Sequence, residues 1–129
     1  MSFSQELTKS TGRAIPIRES VTLKFTLRDK NNATIDLSAV TIGVVHVRLE
    51  PDGELLIDAT ISNGKMVVDP DQVANEGVLR VSFSGGAAGD TDRTPGMHLY
   101  DGFIVLDGDT KFIVRPQTKI EFEDIIAKV

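Results

Sequence analysis

Three dipeptides, Asp52-Gly53, Asn63-Gly64 and Asp107-Gly108, each lie between runs in which apolar and polar residues alternate. A two-residue hairpin loop needs backbone at positive φ, which Gly, Asn and Asp tolerate and β-branched residues do not. The three pairs therefore predict antiparallel β-hairpins. Between them the period is two: Val21, Leu23, Phe25 and Leu27 share one face and Thr22, Lys24, Thr26 and Arg28 the other. The near-continuous apolar run from Val40 to Leu49 predicts a central strand. Asp52-Gly53 then leads into the alternating Leu55, Ile57, Ala59 and Ile61, and Asn63-Gly64 into Lys65 to Val68, which together predict a meander of three strands.

The polar stretch Asp69 to Gly77, with room for one helical turn, precedes a strand carrying Leu79, Val81 and Phe83. Gly85 to Pro95 is the longest stretch without a periodic pattern and predicts a mobile surface loop. Met97 to Leu106 and Thr110 to Arg115 predict a last hairpin around Asp107-Gly108-Asp109. Residues 1–12, polar apart from Met1, Phe3 and Leu7, predict a flexible N-terminal arm, and Pro16 confines any strand at Ala14 to Ile17 to a sheet edge. Residues 120–129 read either as a strand or as a short amphipathic helix, because Phe122, Ile125, Ile126 and Val129 also fall at i, i+3, i+4 and i+7.

Seven to nine short strands with turn signals between them predict one all-β domain over residues 13–119, an antiparallel β-sandwich. It is immunoglobulin-like in the wide architectural sense, since without Cys or Trp the chain lacks the disulfide and tryptophan pin of antibody domains. The absence of cysteine also excludes disulfides and thiolate zinc sites and suits assembly in reducing cytoplasm. The N-terminus has neither a basic segment nor an apolar one, and the run from Val40 to Val47 is broken by Thr41 and Gly43, so neither a secretion signal nor a membrane span is expected. A formal charge of −5 with scattered Lys and Arg argues against nucleic acid as a partner.

No segment carries a catalytic motif. His46 and His98 each stand alone on a predicted strand and read as partly exposed strand residues. Ser84-Gly85-Gly86 lacks the Gly-x-Ser-x-Gly elbow, and Gly85 to Gly89 lacks the Gly-Lys-Ser/Thr ending of a phosphate loop. Asp69-x-Asp71 opens like a calcium loop, but Val73, Ala74 and Arg80 stand where a ligand, the turn glycine and the bidentate glutamate belong. Asp90, Asp92, Asp107 and Asp109 are a looser candidate set for calcium. With one tyrosine and no tryptophan, a stacking platform for sugars is poorly supported.

The order of elements resembles small immunoglobulin-like structural proteins of tailed bacteriophages and prophages, from baseplate, tail or neck. The residues that carry the likeness are Leu27-Arg28-Asp29 with Asn31-Asn32, then Ile35-Asp36-Leu37-Ser38 and Val44-Val45-His46-Val47-Arg48. They continue with Asn63-Gly64-Lys65-Met66, Gly77 to Phe83, and Pro95-Gly96-Met97-His98-Leu99-Tyr100-Asp101. The last is similar to a Gly-x-Tyr-x-Tyr-Asp pattern of that family, with Gly96, Tyr100 and Asp101 kept and His98 in place of the first tyrosine. The resemblance implies a virion structural protein assembled in the host cytoplasm, with no enzymatic activity and no cofactor. Its implied partners are copies of itself and other virion proteins, and no membrane. Expected contact residues are Phe3 and Leu7 on the arm, Gly85, Gly86, Asp90, Asp92 and Arg93 in the loop, and Phe122, Ile125 and Ile126 at the C-terminus. The alternative is a ligand-binding sandwich module for calcium or carbohydrate.

Overall fold

The computed structural model describes residues 2–6, 14–51 and 53–123, with side chains for 14–51, 53–116 and 118–123. Among the described residues there are nine strands: β1 (Ser2–Glu6), β2 (Ile15–Pro16), β3 (Ser20–Thr26), β4 (Ile42–Arg48), β5 (Leu55–Thr60), β6 (Met66–Val68), β7 (Val78–Phe83), β8 (Gly96–Leu106) and β9 (Asp109–Glu123). No helix occurs among the described residues. One sheet has four strands in the order β1-β3-β7-β6, the other five in the order β2-β9-β8-β4-β5. Val21, Leu23 and Phe25 on β3 and Leu79, Val81 and Phe83 on β7 face Val45, Val47, Ile57, Ile104, Ile120 and Phe122 of the opposite sheet, and together these form one buried core. The chain is an all-β sandwich. The two-residue period seen in β3, β4, β7 and β8 follows from burying one face of each sheet against the other.

The three glycine turns have three different fates. Asp107-Gly108 is a two-residue hairpin loop joining β8 to β9, with Leu106 opposite Asp109 and both turn residues at positive φ, 54° and 80°. Around Gly53 the chain does form a hairpin, since β4 and β5 pair, but the connection runs from Leu49 to Glu54 and is closed by the Gly53 amide donating to the Glu50 carbonyl. Asp52 lies outside the described residues. Asn63-Gly64 is not a hairpin at all, which corrects the meander: β5 belongs to the five-stranded sheet and β6 pairs with β7 in the other. Here only Gly64 is left-handed, and the Gly64 amide donates to Ile61, so Ser62 and Asn63 form an ordinary turn that lets the chain change sheets.

Asn63 has a second role at this crossover. Its side-chain oxygen accepts from the Thr60 and Lys65 amides, and its amide nitrogen donates to the Asp58 carbonyl at 2.7 Å. Thr60 and Asp58 present these groups on the side of β5 away from β4. Asn63 thus occupies part of an edge that another strand would otherwise pair with.

The ends also differ from a single antiparallel pattern. The backbone of Ser2–Glu6, inside the stretch read as an arm, runs parallel to Ser20–Lys24, and Ile15–Pro16 runs parallel to Phe122–Glu123. Between β1 and β3 the chain visits the opposite sheet as β2, so it re-enters the first sheet in its original direction. Pro16 sits at an edge, where its missing amide costs no ladder bond. β9 continues through Glu123, so residues 120–123 are strand rather than helix, and residue 119 falls inside the last strand. Residues 124–129 lie outside the described residues.

Asn63→Ala removes three hydrogen bonds and bares the β5 edge. The expected result is a loss of about 1–2 kcal/mol in urea unfolding together with concentration-dependent light scattering that the parent chain does not show.

Candidate functional site

The segment from Gly85 to Pro95, expected as a mobile loop, is tied down from Gly85 to Arg93. The Thr91 side chain is fully buried, its hydroxyl 2.8 Å from the Glu19 carbonyl and 3.2 Å from the Ser84 carbonyl. The Gly86 amide donates to Arg18, and the Arg18 amide to Thr91. Gly85 is required by packing: a Cβ there would stand 2.5 Å from the Ser20 nitrogen. Ala88 holds a left-handed φ of 63°, and its amide donates to Asp92 at 2.8 Å. The loop therefore works as a plug that joins the β2–β3 connection to the end of β7.

Its acids serve that plug. Burial alone pushes the Asp90 carboxyl up, but the Lys65 ammonium at 2.7 and 2.9 Å and the Ser84 amide outweigh it, holding the group below the ordinary carboxylate range. The Ala88 amide, then the Arg18 guanidinium at 2.9 Å, hold Asp92 low as well. Arg93 is half-buried, and its Nε has no hydrogen-bond partner among the described residues. The four-aspartate calcium set does not assemble: Asp90 and Asp92 lie in the loop before β8 begins, whereas Asp107 and Asp109 flank the turn where it ends. Among the described residues no group of three or more His, Asp or Glu is placed to hold a metal ion.

His46 and His98 part company. His46, on the outer face of β4, has its Nε2 3.0 Å from Asp58 on β5, with Asp101 opposite it on β8. A cleft of about 480 Å³ lies over it, between Pro51 and Pro116, and contains Arg48 and Glu50. Among the described residues its lining includes Tyr100, Asp101 and Glu50 but no serine, threonine, cysteine or lysine. His98 is buried rather than partly exposed, because its ring points inward with edge packing on Phe122, centroids 4.7 Å apart. Its Nδ1 lies 3.2 Å from the Gly96 carbonyl, which makes Nδ1 the protonated nitrogen. Tyr100 is also interior, and burial pushes its phenol up to about 12.

The least ordinary surface is the outer face of the five-stranded sheet. Strand register puts Ile42 beside Val105, and Val44 beside Phe103, which in turn lies beside Phe112. Ile42 is 53% and Phe112 51% exposed. At the margin of this face, β9 has no backbone partner from Asp109 to Val114 other than β8 among the described residues. A groove of about 570 Å³ runs along that margin, between Lys111, Phe112 and Ile113 on one wall and Leu27 to Lys30 with Ile35 on the other. Lys111 stands opposite the fully buried Ile104, so it occupies an inward register position on an edge strand.

Of the residues expected to make contacts, Gly85, Gly86, Asp90, Asp92 and Arg93 come together, but in the plug. Phe122 is an interior residue with no exposed surface, which corrects its reading as an anchor: in β9 its position faces the core. The backbone of Phe3 pairs opposite Val21, while Leu7, Ile125 and Ile126 lie outside the described residues. The apolar outer face was not singled out from sequence. Its signal was the loss of alternation: Ile42 and Val44 are apolar as well as Val45 and Val47, and Phe103 and Val105 as well as Ile104.

Carboxylates held below their unfolded value of about 3.9 stabilise the fold above that pH and lose the effect as pH falls through their lower folded values. The urea midpoint should therefore stay level from about pH 7 to 5 and fall below about pH 4. Asp90→Ala should cost about 2 kcal/mol at neutral pH and flatten part of the acid limb, since Lys65 and the Ser84 amide lose a shared charged acceptor.

No family model matches the chain, and no curated protein or solved structure matches it.

Proposed function

We propose that this chain is a non-enzymatic structural protein that works by docking to copies of itself and to neighbouring proteins in the virion of a tailed phage or prophage. The observation that carries the docking part is the apolar outer face of the five-stranded sheet, where Ile42, Val44, Phe103, Val105 and Phe112 adjoin one another across β4, β8 and β9. An isolated sandwich gains by keeping that face polar, and a contiguous exposed apolar patch is the usual mark of a protein contact. The phage part rests on the sequence resemblance, above all Ile35-Asp36-Leu37-Ser38 and Gly96 to Asp101. Nothing in the geometry favours the calcium or carbohydrate alternative, since the candidate aspartates are separated or used in ion pairs.

Sedimentation of the full chain over a wide concentration range should show a mass above that of the monomer. Ile42→Asp should lower that mass while leaving the thermal midpoint within a few degrees, because the side chain is exposed in the free protomer. A chain that stays monomeric at every concentration would defeat the self-docking reading. Gene neighbours encoding capsid, head-completion or tail proteins support the phage assignment, and a metabolic operon overturns it.

A further inference from the structure

We infer that the groove along the free edge of β9 receives the C-terminal residues 124–129 of a second copy, added as a strand. This rests on the self-docking reading above and names its contact. Three observations carry it. The first is the edge: among the described residues the outward backbone groups of Asp109 to Val114 have no partner, while the β5 edge is partly closed by Asn63 and β6 has only three residues. An extended segment can pair only where such groups are open.

The second is chemistry. The groove sets Arg28, Lys30 and Lys111 around the apolar Ile35, Phe112 and Ile113. Its one acid, Asp29, already accepts from the Asn31 and Ala33 amides. On a protein of net charge −5 this is a local reversal of sign, and the segment after β9 supplies one acid, Asp124, followed by the apolar Ile125 and Ile126, with Lys128 two residues further on. Lys111 at an inward position repels a second β9 edge, which would bring Lys111, Arg115 and Lys119 against their own kind, but it accepts a strand that carries a carboxylate.

The third is reach. Gly96 opposes Phe122 and Phe103 opposes Phe112, so the two ends of β9 are separated by seven residue steps of β8, roughly 23 Å. Ile126 stands three residues beyond Glu123 and extends at most about 11 Å from it. A protomer's own Ile125 and Ile126 therefore cannot reach its own groove, so the apolar occupant is another copy's. Because the tail and the groove are different surfaces, the contact is head-to-tail and builds a ring or a filament.

The test uses the full chain and a synthetic peptide of residues 123–129 labelled with fluorescein. The peptide should bind the full chain saturably in anisotropy and lower its sedimenting mass by competition. Lys111→Glu should weaken peptide binding about tenfold or more and dissociate the assembly, and an Asp124→Lys peptide should recover binding to the Lys111→Glu chain. Ile125→Asp with Ile126→Asp should abolish assembly, with circular dichroism unchanged. An assembly whose mass survives these variants and the peptide overturns the tail contact and leaves self-docking standing. A chain that is monomeric at every concentration overturns both, whether or not it binds the peptide.

Discussion

The inward rows of the two sheets bury one another, and the path of the chain is set by the need to keep both rows turned to the same interior. Leu23, Phe25, Leu79 and Val81 on one side and Val45, Val47, Ile57 and Ile104 on the other have almost no exposed surface. Burial of such residues is the dominant favourable term for a domain without disulfides. It decides where β6 goes: Met66 is buried against the strand pair that ends at Ile61, close enough that a Cβ on Gly43 would collide with its sulfur. The crossover at Asn63 is the shortest way to bring that residue to the far side of the core.

The same constraint explains two features that stand out in the sequence. The Gly85 to Arg93 segment is rich in glycine and acids, yet its glycines permit close backbone approach and its acids hold Lys65, Arg18 and local amides. It closes one end of the sandwich, where the inward rows would otherwise meet water. His98 and Tyr100 are buried, and His98 packs edge-on against Phe122.

Among the described residues the outside of the five-stranded sheet and the margin beside it are the surfaces least like an ordinary polar face. Both come from β4, β8 and β9, the strands in which apolar residues occupy both parities. The inner parity fills the core, and the outer parity places Ile42 and Phe112, both exposed, in one patch with the half-buried Phe103 and Val105. The long β9 carries a bulge, with Arg115 to Gln117 opposite Asp101, and keeps an open edge. Its inward Lys111 narrows the range of strands that can pair there.

By itself the sequence determined the local elements: the period-two strands, the left-handed Asp107-Gly108 turn and the edge position of Pro16. These depend on φ preference, side-chain alternation and a missing amide, all properties of a few adjacent residues. Tertiary structure decided the rest. Whether Asn63-Gly64 closes a hairpin or carries the chain to the other sheet depends on where Met66 finds its partners, which no short segment encodes. Whether Gly85 to Arg93 swings free depends on Lys65, Arg18 and Glu19, distant in the chain. His46 finds Asp58 only through strand register, and the groove at β9 exists only because the chain that follows β3 comes to lie beside Lys111 to Ile113.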